Sequence, residues 1–282
     1  MIRANYNSIP HREMTIWLSN TSKSNFRSSK ILFIFKSLII VLISLDLLSG
    51  KMSFIIHRIE PYFKKMKPEI CPFCQFTHAN PFYRGALRSY LRCPRCKLIF
   101  VSRKDLLSNK QEKARYDLHE NSLKDKGYRQ FLNQFIFPLL ERIGPPPQKG
   151  LDFGSGPGPV LSMMLESKGY QMALYDPYYA PNEDVLKKRY DFVTCTETIE
   201  HFHDPGKEWR LLLKLVKPGA WLGIMTQLVE DIDDFPNMHY ITDMTHVSFF
   251  SHDTFRFLAK KDNLHVEFQG DNLIFCKTMA LG

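Results

Sequence analysis

"LDFGSGPGP", residues 151–159, is the stretch whose reading decides the fold. Three glycines, Gly154, Gly156 and Gly158, alternate directly behind an acid, Asp152. Glycine suits a backbone that turns tightly or that approaches a ligand with no side chain in the way. Three in alternation predict a surface cleared for something flat or phosphate-sized. "GLDFG" reads as a short strand and Val160–Ser167 as a helix, so the glycines fall at the carboxyl end of a first strand. Open α/β sheets bind their ligands at that edge. Read as the dinucleotide fingerprint G-x-G-x-x-G, the stretch fails at Pro159.

Working outward, α and β patterns alternate. "QMALYD" is a strand that ends in Asp176, an acid placed to accept both hydroxyls of a ribose. "YDFVTC" is a further strand, Trp209–Val216 a helix, "AWLGIMT" a strand and Ser251–Lys260 a helix. "LHVEF" and "NLIFCK", joined by a short turn, predict a closing hairpin. Such alternation predicts a Rossmann-like, doubly wound α/β domain over residues 148–282, its sheet mostly parallel and covered on both faces. Ahead of it, "GPPPQKG" (144–150) marks a boundary, because three prolines cannot continue a helix. Residues 105–144 read as a helical linker or cap, with apolar side chains at three- and four-residue spacing.

"CPFC" (71–74) and "CPRC" (93–96) lie 18 residues apart, the spacing of a tetrahedral zinc site built by Cys71, Cys74, Cys93 and Cys96. Residues 68–101 therefore predict a small zinc ribbon. Four thiolates fill the coordination sphere, so Zn(2+) there would be structural. A redox dithiol is the competing reading. The two remaining cysteines, Cys195 and Cys276, lie in apolar surroundings, and the pattern as a whole favours a reducing compartment, the cytoplasm.

The net charge of +9 over 282 residues hides an asymmetry: residues 1–150 carry +16 and residues 151–282 carry −7. Arg84, Arg88, Arg92, Arg95 and Lys97, interleaved with Phe82, Tyr83 and Tyr90, either grip an anionic partner such as a nucleic acid or simply face water around a tiny aromatic core. Residues 1–51 read three ways: a start-site artefact ahead of Met52, a membrane anchor, or an amphipathic surface segment. The apolar run 31–48 is borderline for spanning. A membrane partner, and a membrane-anchored chain facing the cytoplasm, depend on its insertion.

Taken in order and spacing, "LDFGSGPG", "LYDP", "YDFVTCTETIEHFHDP" and "LVKPGAWLGIMT" resemble the core of class I S-adenosylmethionine-dependent methyltransferases. The resemblance covers roughly residues 145–282 and implies a seven-stranded sheet with an antiparallel last strand. It also implies that Asp152 with Gly154, Ser155, Gly156 and Gly158 frames the methionine end of S-adenosyl-L-methionine, that Asp176 takes the ribose, and that Thr196 and Glu197 line the methyl-donor side. Only 14 residues separate Asp176 from Asp191, too few for a full third strand and its helix, which leaves the adenine contact unassigned. The front end more loosely resembles bacterial methyltransferases that carry an amino-terminal ribbon, which implies Tyr116, His119 and Tyr128 closing over the cofactor; read from the helical pattern alone, they are equally helix surface or core residues.

"ETIEHFHD" supplies Glu200, His201 and His203 beside Glu197. Histidine is the natural proton acceptor near neutral pH, which makes His201, with Glu200, the candidate for chemistry and His203 a structural residue. The E-x-x-E-H order also resembles a divalent-metal site of quinone-pathway O-methyltransferases. Residues 229–250 form a long acidic insertion of the kind that serves as a lid or binding loop; His239, Asp243 and His246 within it are placed to touch substrate, and His246, beside Phe249 and Phe250, reads equally as a buried histidine bonded to backbone. The expectation is a methyltransferase acting on a small molecule such as a sugar, lipid or quinone-type metabolite. RNA or protein methylation through the basic ribbon, and a non-catalytic cofactor-binding adaptor, are the alternatives.

Overall fold

The computed structural model describes residues 69–118 and 121–280. The apolar run 31–48 and His119 fall outside them. No helix among the described residues is long and apolar enough to cross a membrane.

Among the described residues, the sheet predicted from the glycine stretch is present with six strands. They are β4 (Lys149–Phe153), β5 (Gln171–Tyr175), β6 (Tyr190–Thr196), β7 (Val216–Met225), β9 (Leu264–Gln269) and β10 (Leu273–Thr278), in the order β5-β4-β6-β7-β10-β9. The first four run parallel, and β10 is antiparallel to both β7 and β9. The terminal hairpin supplies this reversal. The seventh strand implied by resemblance is missing among the described residues: the chain after β5 makes only an Asp176–Ala180 bridge and a 3-10 turn over Glu183–Lys187 before entering β6. Fourteen residues allow no more.

Two layers cover the sheet. The expected single helical stretch of the linker is two helices, α1 (Asn109–Tyr116) and α2 (Lys126–Ile143), because the intervening residues offer no apolar stripe. In α2, Leu132, Phe135, Ile136, Leu139 and Ile143 repeat at three- and four-residue spacing. They bury that face with α3 (Val160–Glu166) against Phe192, Trp221, Met225 and Phe275. Full burial of each such side chain contributes roughly 1.5–3 kcal/mol. Asp125 opens α2 by accepting from the Tyr128 amide. On the opposite face lie α4 (Pro205–Leu215) and α5 (His252–Asp262), with Trp209, Leu212, Phe255 and Leu258 packed on Leu151, Val193, Leu222 and Ile274. Asp204 and Ser251 cap these two helices.

The ribbon belongs to that second layer. Its strands β1 (Asn80–Arg84), β2 (Ser89–Arg92) and β3 (Ile99–Val101) form an antiparallel sheet, and Cys71, Phe73, Cys93, Cys96 and Leu98 are buried in the same core as Trp209 and Phe250. At Gly206, in the first turn of α4, a side chain would run into the Phe73 carbonyl, so the first knuckle seats directly on that helix. A fourth strand, β8 (Ser248–Phe249), joins the ribbon sheet from the far end of the insertion, Ile99 opposite Phe249. With β8 in place, Phe235 and Val229 of the insertion pack on Tyr90, Ile99 and Val101. The insertion is thus packed structure along part of its length, held by the ribbon.

Candidate active site

The glycine loop leaves β4 and turns under the carboxyl edge of the sheet. Gly154 (φ 82°) and Gly156 (φ 64°) occupy the left-handed region, and a side chain at Gly154 would collide with Thr198. A side chain at Gly158 would meet the Asn121 carbonyl, so the segment between α1 and α2 lies close over the loop. Asp176 ties the loop down: its Oδ2 accepts from the Gly156 amide at 3.0 Å and its Oδ1 from the amides of Tyr178 and Tyr179 at 2.8 and 3.0 Å. Sequence reasoning gave Asp176 to a ribose alone; the carboxylate also organises the loop. Asp152, 2% exposed, accepts from the Ser162 hydroxyl at 2.9 Å and from Thr194 at 3.0 Å. Burial pushes its pKa from 3.8 up to about 6, the two hydroxyls restraining the rise and Asp176 adding to it. Ser155 Oγ is buried with no partner. An orphan hydroxyl beside a glycine cradle, with two acids below it, fits a ligand that carries both a ribose and positive charge.

Across the cleft, β6 ends at Thr196, and Glu197 follows at φ 47°, a strained conformation for a glutamate. Glu197 keeps exposed surface in the cleft, yet the protein packed around it and the neighbouring Glu200 raise its pKa, with a hydrogen bond from Tyr240 opposing the rise. Glu200 is fully buried. Its Oε1 accepts from the Tyr240 hydroxyl, and its Oε2 has no partner. His201 and His246 meet edge to face with ring centroids 4.8 Å apart, and the Tyr240 ring centroid lies 4.0 Å from that of His246. His201 Nδ1 donates to the Thr245 carbonyl at 3.1 Å, and His246 Nδ1 donates to the Tyr240 carbonyl at 2.7 Å. In both rings Nε2 is left for other work. Burial lowers the His246 pKa and keeps the ring neutral. His246 is the buried, backbone-bonded histidine that its flanking phenylalanines suggested, yet it also pairs with His201. No local motif announced that pairing, because the two residues are brought together only by the insertion.

Donor atoms of Glu200, His201 and His246 lie within 4.8 Å of one another, close enough to hold a cation together; Glu197 is not part of that set. Tyr116 of α1 stands edge-on to His201 at 5.3 Å and lies 5.8 Å from Tyr178, so the cap reaches both sides of the cleft. Tyr128, on α2, has its pKa pushed up to about 12 by burial and by the charges of Asp152 and Glu197. His203 lies outside the cleft, bound to Glu112 of α1 at 2.5 Å.

In the ribbon, Cys71 Sγ and Cys96 Sγ are 3.6 Å apart, Cys74 Sγ and Cys93 Sγ 3.5 Å, and all four lie within 4.8 Å of one another. Zn–S bonds of about 2.3 Å at tetrahedral angles place sulfurs roughly 3.8 Å apart, so the donor set fits that ion. Arg84 and Arg95 are exposed as expected, but Arg88 is buried, 4% exposed.

A family model described as "Methyltransferase domain" matches residues 128–268. Among curated proteins the chain is similar to ubiquinone biosynthesis O-methyltransferase of Serratia proteamaculans, 36% identical over 71 residues, which is 25% of this chain and 30% of that protein. The same enzyme of Sodalis glossinidius is 34% identical over 71 residues, 25% of this chain and 28% of that protein. The match therefore spans less than a third of these relatives' length. Among solved structures, magnesium protoporphyrin IX methyltransferase of Synechocystis PCC 6803 with bound S-adenosylmethionine aligns at TM-score 0.42 and 13% identity, covering 61% of this chain and 92% of that one. 1,6-Didemethyltoxoflavin-N1-methyltransferase of Burkholderia thailandensis aligns at TM-score 0.40 and 15% identity, over 71% of this chain and all of that one.

Proposed function

Because this chain belongs to the family of class I S-adenosylmethionine-dependent methyltransferase domains, we propose that it transfers the sulfonium methyl group to a hydroxyl of a small molecule, a sugar, lipid or quinone-type metabolite. The observation that carries this reading is the adjacent pair His201 and His246, both with Nδ1 committed to loop carbonyls, beside the unpartnered Glu200 Oε2. Residues Asp152, Gly154, Ser155, Gly156, Gly158 and Asp176 bind the cofactor, with Thr196 and Glu197 on its methyl side. Bound S-adenosylmethionine supplies an electrophilic methyl on positively charged sulfur. The chain's task is to hold the acceptor oxygen in line with that carbon and to take its proton. As the O–CH3 bond forms and the S–CH3 bond breaks, the hydroxyl proton passes to an imidazole Nε2, His201 being the first candidate. Glu200 stabilises the positive charge that then appears on the ring.

A second reading is supported by the convergence of Glu200, His201 and His246: a divalent cation held there would lower the pKa of an acceptor hydroxyl. The four cysteines hold a structural zinc ion. Recognition of RNA through the ribbon's cations is weakened by Arg88, whose guanidinium is turned inward.

The test is calorimetric titration of S-adenosylmethionine into the protein and into Asp176→Ala, then a screen of quinol, sugar and lipid hydroxyls with labelled methyl donor. Saturable binding that weakens by about 100-fold in the variant, a loss of about 3 kcal/mol, is the expected result. Absence of binding to folded protein would refute the reading, and binding without turnover on any hydroxyl class would move the adaptor reading forward.

A further inference from the structure

Arg88 sits just before β2, and its guanidinium leaves the ribbon for the insertion. Nη1 donates to the carbonyls of Met244 and His246 at 3.0 and 2.9 Å, and Nη2 to those of Ile241 and Asp243 at 2.8 Å each. Nε donates to the Tyr90 hydroxyl at 2.7 Å, which braces the group from its own strand. In the same stretch the Tyr240 carbonyl is taken by His246 Nδ1 and the Thr245 carbonyl by His201 Nδ1. From Tyr240 to His246, only the Thr242 carbonyl has neither kind of partner: four go to one guanidinium and two to the imidazoles. A guanidinium presents its five N–H donors in one rigid plane, which no other side chain does. Carbonyls taken from water and left without donors are costly, so the shape of this loop and the presence of Arg88 depend on each other.

We propose that Arg88 is a positioning residue that winds residues 240–246 into the shape that fixes both imidazoles with Nδ1 protonated and Nε2 free. The ribbon then builds the acceptor half of the site through one side chain. Strand β2 runs from Arg88 directly into Cys93, so the metal-binding knuckle anchors the strand that carries the guanidinium. This inference rests on the proposed reading only for what the loop is used for; the loop and the tautomers are properties of the chain itself.

The experiment compares Arg88→Ala and Arg88→Lys with the parent protein. Three quantities are followed: hydrogen exchange at Ile241, Thr245, His246 and Val247, the 15N spectra of the imidazoles, and calorimetric binding of S-adenosylhomocysteine. The expected result is exchange at least about tenfold faster in this loop, with exchange in α3 and β4 unchanged. The two histidines lose their single tautomer, zinc content is kept, and S-adenosylhomocysteine affinity stays within about threefold. Guanidinium at about 20 mM restores protection and tautomer in Arg88→Ala, whereas ammonium does not, since only the planar ion matches four carbonyls. If Arg88→Ala does not fold, Arg88→Lys carries the test, because an ammonium cannot span the same acceptors. Unchanged loop exchange and tautomers in the variant that folds would overturn the proposal, as would a loss of cofactor affinity in step with loop protection. Failure of the parent protein to bind S-adenosylhomocysteine refutes methyl transfer instead and leaves the loop result standing.

Discussion

Replacing Asp152 by asparagine should make the cofactor-free protein more stable at neutral pH. The carboxyl group lies near the carboxyl end of β4, almost fully buried, with two hydroxyls as its hydrogen-bond partners. Its pKa of about 6, against 3.8 outside the fold, means that the fold favours the protonated form. The contribution to stability is fully present below the unfolded value of 3.8 and is lost as pH rises through about 6. Near pH 8 the folded chain therefore carries an ionised group that costs about 3 kcal/mol, from about two pKa units at about 1.4 kcal/mol each. A carboxamide in its place keeps the shape and can bond both hydroxyls. Urea unfolding should show Asp152→Asn more stable by up to about 3 kcal/mol near pH 8, little different near pH 4, and unchanged in denaturant slope. On the proposed reading, affinity for S-adenosylmethionine should fall in the same variant, because the substitution removes a buried negative charge next to the proposed place of a cationic ligand. A stability difference that is equal at both pH values, or a variant less stable near pH 8, would refute the reasoning.

Three further outcomes are expected. Glu112 raises the His203 pKa, so that pair holds α1 most firmly below the ordinary histidine value of 6.5 and loses its hold as pH rises through the raised one; hydrogen exchange across residues 109–118 should accelerate with pH beyond intrinsic rates, and Glu112→Gln should abolish that excess. Gly158→Ala should push the Asn121 backbone off the glycine loop and weaken S-adenosylhomocysteine binding by about tenfold or more, checked by calorimetry, with zinc content unchanged. Cys96→Ser should reduce bound zinc, measured with a chromogenic chelator, and lower Tm by about 5 °C or more, because the knuckle is part of the main core.

The Rossmann-like core was legible because its signals are local: each strand carries its own apolar run, each turn its glycine or acid, and the 14-residue gap already ruled out a full third strand with its helix. The ribbon was legible from cysteine spacing alone. Arg88 was not, since nothing distinguishes it in sequence from Arg84 or Arg95, and its four carbonyl partners lie more than 150 residues away. The pairing of His201 with His246 was hidden for the same reason. Glu197 and Glu200 were legible as two acids of one short motif after a strand, but the complete burial of Glu200 and its orphaned oxygen depend on where Tyr240 arrives. Asp176 shows the opposite limit: its place at a strand end was clear, while its three amide partners required the folded loop.

The short pairing of β3 with β8 bears on how this chain is made. The first three strands of the ribbon sheet emerge from the ribosome early, but the edge of β3 has no partner until residue 249 has been synthesised. Until then the nascent chain presents an open row of backbone donors and acceptors, an invitation to pair with other chains. A fragment ending at the proline-rich boundary would keep that open edge permanently and should aggregate. The proline-rich boundary is therefore a seam in sequence only: the amino-terminal half finishes its sheet with two residues that arrive almost at the end of the chain.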